Sequence, residues 1–207
     1  MSPDHDKCGS YHHGDLRNTL IIAAAALIEK NGSLDFAMVD AARQAGVSSA
    51  APYRHFKDKD ALLEAVSDVA FLALTHTTRD AANRFPAGST DSLIATGRSY
   101  LAFVTEHPQF YDLMWGDIGL RARTNESFNT NQTGFQVLVE VVGAWCEAHS
   151  IEDYDALELS VRLWSIAHGL ACLAMNGHLE RFLPDSDMFA FFESSTHTFL
   201  NGLRHRT

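Results

Sequence analysis

Several features that define whole classes of protein are missing from this sequence of 207 residues. Its longest apolar stretch, Leu20 to Ile28, is much shorter than the run of about 18 apolar residues that a membrane-spanning helix needs. The first ten residues contain charges and no apolar core, so they predict a short disordered arm rather than a secretory signal. We therefore expect no membrane partner and a cytoplasmic location.

Cysteine is scarce, and it occurs at three widely spaced positions, Cys8, Cys146 and Cys172. An odd number without a CxxC pair argues against a disulfide framework and a zinc ribbon, and it fits a reducing compartment. Histidine is more frequent, but a pair such as His168 and His178 matches no established spacing of metal ligands. We predict no metal and no cofactor.

Catalytic signatures and excess basic charge are missing as well. The sequence contains no G-x-S-x-G, Walker, G-x-G-x-x-G or H-E-x-x-H motif, so we do not expect an enzyme.

The net charge is −10; residues 1–60 carry seven Lys or Arg against eight Asp or Glu, which leaves −9 on the remainder. Acidic charge therefore lies mainly outside the first 60 residues, but charge alone does not indicate a nucleic-acid partner.

Apolar residues recur at helical spacing along nearly the whole chain, without alternating runs of strand type and without an internal repeat. The predicted fold class is therefore all-α. Gly32 and Gly46 are expected to end the first two helices. Helices are predicted at 15–30, 37–45, 49–56, from 59 onward, and at 90–106, 108–115, 128–149, 155–178 and 187–203.

One short segment contains the parts of a helix-turn-helix motif in the right order. Gly46 can adopt the positive φ of a tight turn, and Val47 can pack between the two helices. The Ser48 hydroxyl can cap the helix that follows. Small residues such as Ala41 and Ala42 allow the two helices to cross closely.

The run from Met38 to Leu63 closely resembles the DNA-binding segment of TetR-type regulators. The matching residues are Gly46-Val47-Ser48, then Tyr53, His55 and Phe56, then Lys59 and Leu62, and the opening Tyr11 to Arg17 is similar to one branch of that family. In the second half, Trp164, His168 and Gly169 resemble the pattern of the branch with a WHG-type C-terminal domain.

The resemblance implies an arm at 1–10, a three-helix helix-turn-helix head at 11–60, and an antiparallel helical bundle at 61–207 for ligand binding and dimerisation. It places a recognition helix at 49–56 in the major groove of a double-stranded DNA operator, with Phe56 as a buried anchor. The candidate DNA-binding residues are Arg43, Ser48, Ser49, Ala50, Ala51, Tyr53, Arg54, His55 and Lys59.

One departure from the family pattern concerns base recognition. Ser49, Ala50, Ala51 and Pro52 replace a run that is more often Gly-Thr-Leu-like. Small apolar side chains offer little beyond contact with a thymine methyl group. Arg43, Arg54 or the shape of the DNA is then left to supply specificity.

In the body, an apolar cavity between helices is the usual place for a small effector. The pocket candidates are Phe103, Phe110, Met114, Trp115, Trp164 and His168. The same residues are also compatible with a filled core in which His168 is satisfied by a hydrogen bond.

The last two long helices have apolar stripes, which the resemblance assigns to pairing with a second copy. The predicted interface residues are Leu159, Leu163, Ile166, Leu170, Phe192, Phe199 and Leu203; packing within their own chain is the alternative.

The function predicted from the sequence is a ligand-responsive repressor that binds a palindromic operator as a homodimer, with activation left open. The alternative is a helical, dimeric protein-interaction module that no longer binds DNA, a hypothesis motivated by the acidic net charge.

Overall fold

The computed structural model describes residues 13–119 and 134–204, with side chains from residue 16 onward. The predicted arm at 1–10 and the first residues of the helix predicted at 128–149 lie outside these ranges. Within them every regular element is helical. No helix in the described part of the chain is long and apolar enough to cross a membrane.

The α-helices, in chain order, are α1 His13–Asn31, α2 Met38–Gln44, α3 Lys59–Ala82, α4 Thr90–Glu106, α5 Pro108–Trp115, α6 Gly134–Ala148, α7 Ala156–Met175, α8 His178–Phe182 and α9 Met188–Arg204. The predicted bounds of α4 and α5 are confirmed. The single helix predicted at 155–178 is wrong at its end, because Gly177 has a φ of 69° and separates α7 from α8.

Short polar side chains fix where several helices begin. The Asp58 carboxylate accepts the N–H of Ala61 at 2.9 Å at the start of α3. The Asp155 carboxylate accepts the N–H of Leu157 at 2.9 Å at the start of α7. Each bond satisfies a backbone donor that has no partner within its helix, which explains why these helices start where they do.

The described residues form two compact units. The first contains 13–69 and 112–119, and the second contains 70–111 and 134–204. The division falls within α3, after Val69, and within α5, after Tyr111. The chain therefore passes between the units inside two continuous helices, whereas the sequence placed its boundary at residue 60.

The core of the first unit forms around α1. Leu20, Ala24 and Ile28 are fully buried on one face of this helix, at the spacing expected for an amphipathic helix. Ala41 and Ala42 of α2 are also fully buried, and α1 packs directly on α2. Small side chains at this crossing allow α1 and α2 to approach closely.

The core of the second unit forms where α4, α6, α7 and α9 pack on one another. Trp145 of α6 is fully buried at its centre, among Leu93 of α4, Leu163 of α7 and Leu200 of α9. The Trp145 indole N–H donates to Thr90 Oγ1 at 3.1 Å, so the ring brings no unsatisfied donor into the core.

This core corrects the predicted pairing surface. The residues buried within a single chain are Leu159, Leu163, Leu170, Phe192 and Leu203. Their side chains pack inside one protomer and are not available to a second copy, because α7 and α9 turn these stripes toward α4 and α6. Ile166 and Phe199 are half-buried.

Candidate functional site

The turn after α2 has the geometry that its sequence predicts. Gly46 has a φ of 70°, which is strained for residues with a Cβ atom. The Val47 N–H donates to the Ala42 carbonyl at 3.0 Å, and the Gly46 N–H donates to the Arg43 carbonyl at 3.1 Å. These bonds satisfy carbonyls at the end of α2 and reverse the chain direction.

The segment after the turn differs from the predicted helix at 49–56. Its regular part is a short 3₁₀ helix, Pro52–Arg54, preceded by Ala51 rather than capped by the Ser48 hydroxyl. Proline has no N–H to donate, so the first α-helical bond to the Ser48 carbonyl cannot form. The Ala51 N–H reaches that carbonyl instead, at 2.9 Å. The recognition segment is therefore a tight turn of helix.

This turn of helix exposes a small set of polar groups. Tyr53 has 58% of its surface exposed, and Arg54 is exposed beside it. Ser48, Ser49 and Ala50 are exposed at its start.

Two neighbours of these residues are less accessible. Ala51 is only 8% exposed, so its predicted role in touching a base edge is corrected to a packing role. His55 is half-buried, whereas Phe56 is buried, as predicted for the anchor of this segment.

Three cations of the first unit have defined contacts. The Arg17 guanidinium lies 5.2 Å from the centroid of the Phe56 ring, and the Lys59 ammonium lies 4.8 Å from that of Phe36. Arg43 is ion-paired with Asp40 at 2.9 Å on an exposed face, where such a pair contributes little to stability. Breaking the ion pair with Asp40 would therefore cost Arg43 little if it contacted a phosphate or a base.

The predicted pocket residues fall into separate groups. The rings of Trp164 and His168 lie 5.0 Å apart on α7. Phe103 and Phe110 each lie against His107, with centroids 5.4 Å and 6.0 Å from its ring.

The remaining two pocket candidates, Met114 and Trp115, belong to the first unit, and Met114 is fully buried. The six candidates therefore do not line one common surface of the second unit.

The sequence missed the residues that surround His168. Its Nδ1 atom lies 2.7 Å from Tyr100 Oη, and its Nε2 atom lies 3.1 Å from Tyr111 Oη. Tyr111 Oη also lies 3.0 Å from Cys172 Sγ. Cys172 follows His168 by four residues, which is a detectable helical spacing, but Tyr100 and Tyr111 come from α4 and α5 and left no local signal.

Burial shifts the pKa values of His168 and Tyr100 in this cluster. It lowers the pKa of His168 below its ordinary value of 6.5, which favours the neutral imidazole. It also raises the pKa of Tyr100, an effect that a hydrogen bond from Trp164 opposes more weakly. His168 is thus half-buried and hydrogen-bonded at both ring nitrogens, as one of the two alternatives from the sequence expects. In the described residues, no group of three His, Cys, Asp or Glu side chains could hold a metal ion.

The sequence matches two family profiles. Residues 20–66 match the profile described as bacterial regulatory proteins, tetR family, and residues 93–199 match the tetracyclin repressor-like C-terminal domain. The second match alone covers more than half of the chain and includes Trp164, His168 and Gly169. No curated protein matches the chain at a significant level.

Solved structures share the fold over almost the full length. A protein of unknown function from Rhodococcus sp. RHA1 is 28% identical, with a TM-score of 0.76 over 94% of this chain and 98% of its own. A TetR/AcrR-family transcriptional regulator from Thermobifida fusca YX-ER1 is 17% identical, with a TM-score of 0.59 over 91% and 98% of the two chains. The TetR-family regulator PfmR from Thermus thermophilus is 17% identical, with a TM-score of 0.56 over 88% and 97%.

A tight Gly46 turn, an exposed helical segment behind it and a larger helical body together define a helix-turn-helix protein of the transcriptional-regulator class. Within that class, the chain belongs to the TetR family.

Proposed function

We propose that the chain binds double-stranded DNA through the surface from Ser48 to Arg54, and that it acts as a ligand-responsive repressor. The observation that supports DNA binding best is the exposure of Tyr53 and Arg54 directly behind the turn. Both side chains carry donors that suit phosphate oxygens, and a guanidinium can also read a guanine edge.

The start of α3 adds a second phosphate-binding element. The first amides of a long helix point outward and carry partial positive charge, which favours an anion. Lys59 is the first residue of α3 and holds its ammonium at the Phe36 ring. The Asp58 carboxylate already accepts the Ala61 N–H here, so a phosphate would meet the other first-turn amides and the Lys59 cation.

We propose a homodimer as the assembly, with the exposed faces of α7 and α9 in the interface. These faces carry large apolar side chains that remain 44–50% exposed in the described chain: Leu157, Val161, Leu173 and Phe191. Gly169, also exposed on α7, has no neighbour within 4 Å of where a Cβ atom would lie, so a second helix can approach closely there. A two-fold dimer explains why a palindromic operator is expected, with half-sites about 34–36 Å apart.

An effector would act on this assembly by linkage. A small molecule that prefers one conformation of the body shifts DNA affinity by its difference in affinity for the two conformations. The aromatic side chains of Phe135 and Trp164, whose rings are 5.8 Å apart beside His168, favour an aromatic ligand without a fixed charge.

The DNA-binding proposal is tested by selection from a random double-stranded library with the full chain. We expect enrichment of one palindromic sequence. Recovery of only unrelated sequences from a well-folded dimer would overturn the proposal and favour the protein-interaction module.

The dimer surface is tested by Val161→Glu, which places a charge on a residue that is 45% exposed in the single chain. We expect the variant to sediment as a monomer at concentrations where the wild type is a dimer, because an unpaired charge in an apolar interface loses its solvation. Leu72→Glu, at a similarly exposed apolar residue of α3, is the matched control and should leave the dimer intact. Equal sedimentation of all three proteins would contradict this interface.

A further inference from the structure

A cation–π contact joins the start of α3 to the loop between α1 and α2. The Lys59 ammonium lies 4.8 Å from the centroid of the Phe36 ring. Lys59 is half-buried and Phe36 is buried, whereas the neighbouring Lys57 is exposed. The ring therefore restrains the Lys59 ammonium beside the first turn of α3, the helix that follows the recognition segment.

The backbone on both sides of Phe36 is held by hydrogen bonds. The Asn31 side-chain amide donates to the Asp35 carbonyl at 3.3 Å, directly before the ring. The Asp40 carboxylate accepts the Ala37 N–H at 2.9 Å, directly after it. Because these flanks are bonded and the side chain is only 7% exposed, the Phe36 ring is a rigid support.

An aromatic ring supports a cation differently from a carboxylate. Arg43 pairs with Asp40, whose negative charge opposes a phosphate at the same guanidinium. Within the described ranges, no carboxylate forms an ion pair with Lys59. A ring face attracts an ammonium without cancelling its charge, and the three N–H donors of a lysine can serve more than one partner. Lys59 is thus held in place and keeps its charge for an anion.

We propose that Phe36 is a positioning residue for DNA binding, whose ring holds the Lys59 ammonium ready for a phosphate. The inference rests on the proposed function, in which DNA phosphates bind at the start of α3. A long side chain that becomes ordered only on binding lowers the affinity by about two- to tenfold. Because Lys59 is ordered before DNA arrives, this loss does not arise.

A ring that kept Lys59 away from DNA would have the opposite effect. The ammonium would then have to leave the ring before it could bind, and removing the ring would strengthen binding. The place of Lys59 in the fold favours the first arrangement. It is the first residue of α3, where backbone amides without helical partners already favour an anion.

A double-mutant cycle on the selected operator tests the coupling, by fluorescence anisotropy with the full chain. Phe36→Leu should weaken binding by about fivefold or more, because each of the two copies in a dimer loses an ordered ammonium. In a Lys59→Met background, Phe36→Leu should have no further effect. Lys59→Met should also reduce the slope of log affinity against log salt by about one for each copy, whereas Phe36→Leu should not, since it removes no charge.

Lys57 provides the matched control, because it is an exposed lysine two positions from Lys59. In a Lys57→Met background, Phe36→Leu should weaken binding as much as in the wild type. Phe36→Tyr keeps the ring and should bind the operator like the wild type. Phe36→Met, which has no ring, replaces Phe36→Leu if circular dichroism shows that the leucine variant is unfolded.

Two results of this cycle would overturn the proposal. Equal losses from Phe36→Leu in the Lys57→Met and Lys59→Met backgrounds would show that the ring only supports the fold of the first unit. Stronger binding by Phe36→Leu would show that the ring keeps the ammonium away from DNA.

NMR of the Lys59 side chain locates the ammonium independently, with Lys59→Arg for the assignment. Protons that lie over the face of an aromatic ring resonate upfield. We expect upfield ε-methylene protons in the free wild type and in its complex with the operator duplex, but not in Phe36→Leu. Ordinary shifts in the free protein, or upfield shifts that disappear when the duplex binds, would contradict the positioning role.

These experiments separate the role of Phe36 from DNA binding itself. If the wild type does not prefer the selected palindrome to a scrambled duplex, the proposed function fails and the role of Phe36 falls with it. If the wild type does prefer the palindrome but the cycle shows no coupling to Lys59, only the positioning role is overturned.

Discussion

Replacing Tyr53 and Arg54 together by alanine is expected to weaken binding of the selected operator by at least roughly tenfold. Loss of one hydrogen bond to a charged group costs about 1.5–3 kcal/mol, and loss of one base contact costs about 1–3 kcal/mol. Both side chains are exposed on the 3₁₀ helix, so their removal leaves the core of the first unit intact. Fluorescence anisotropy of labelled duplex measures the effect directly.

The chain offers a closely matched control for this experiment. Arg181 and Phe182 are a neighbouring basic and aromatic pair, also exposed at the end of a short helix, but in the second unit. Their double replacement by alanine should leave operator affinity unchanged. Equal losses in the two double variants would indicate that the surface from Ser48 to Arg54 has no special role.

Replacing Arg54, the single arginine of the recognition segment, distinguishes a phosphate contact from a base contact. If Arg54 only contacts phosphate, Arg54→Ala weakens binding to all sequences alike and reduces the slope of log affinity against log salt by about one. If it reads a base, the loss is larger for the operator than for random duplex. Repeating the titration at two salt concentrations distinguishes the two cases.

Replacing Trp145 by alanine is expected to lower the free energy of unfolding by about 3–5 kcal/mol, the usual cost of removing a large aromatic ring from a core. The ring is fully buried and stacks on His149 with centroids 4.5 Å apart. It also donates to Thr90 Oγ1, and the Arg204 guanidinium lies 5.3 Å from the ring centroid. One substitution therefore removes contacts to α4, to α9 and to His149, which directly follows α6, at once.

Chemical denaturation monitored by circular dichroism measures this loss. Phe182→Ala is the control: this side chain is 71% exposed, so its removal should change stability by no more than about 0.5 kcal/mol. A loss below about 1 kcal/mol in Trp145→Ala would show that the core of the second unit does not depend on this ring.

The parts of the fold set by local chemistry could be predicted from the sequence. Gly46 has the positive φ that the turn requires, and Phe56 is the buried anchor that the motif assigns. The bounds of α4 and α5 followed from the chain breaks at Gly88 and Pro108. These features depend on residues close together in the chain.

Two predicted helices were wrong in extent, and the causes are also local in the sequence. The recognition segment was predicted as a full helix, although Pro52 removes the N–H that its first α-helical bond needs. The Asn176-Gly177 pair ends α7 before His178, a stop signal that the apolar periodicity concealed.

The pairing face and the hydrogen-bond partners of His168 required the tertiary structure. Both α7 and α9 carry apolar side chains on two sides, and periodicity does not say which side meets the chain's own core. The stripe with Leu163 faces inward, which leaves Val161 outside. Similarly, Tyr100 and His168 lie 68 positions apart in the sequence and meet only because α4 packs on α7.

The central claim, that this TetR-family chain binds DNA specifically through its helix-turn-helix, is tested most directly by one titration. Labelled duplex that contains the selected palindrome is titrated with the full chain, with a scrambled duplex of equal length as reference. We expect the palindrome to bind at least roughly 10³-fold more tightly than the scrambled duplex, the lower end for specific recognition. Equal affinity for both duplexes by a folded dimer would contradict the claim and favour a dimer that serves protein interactions alone.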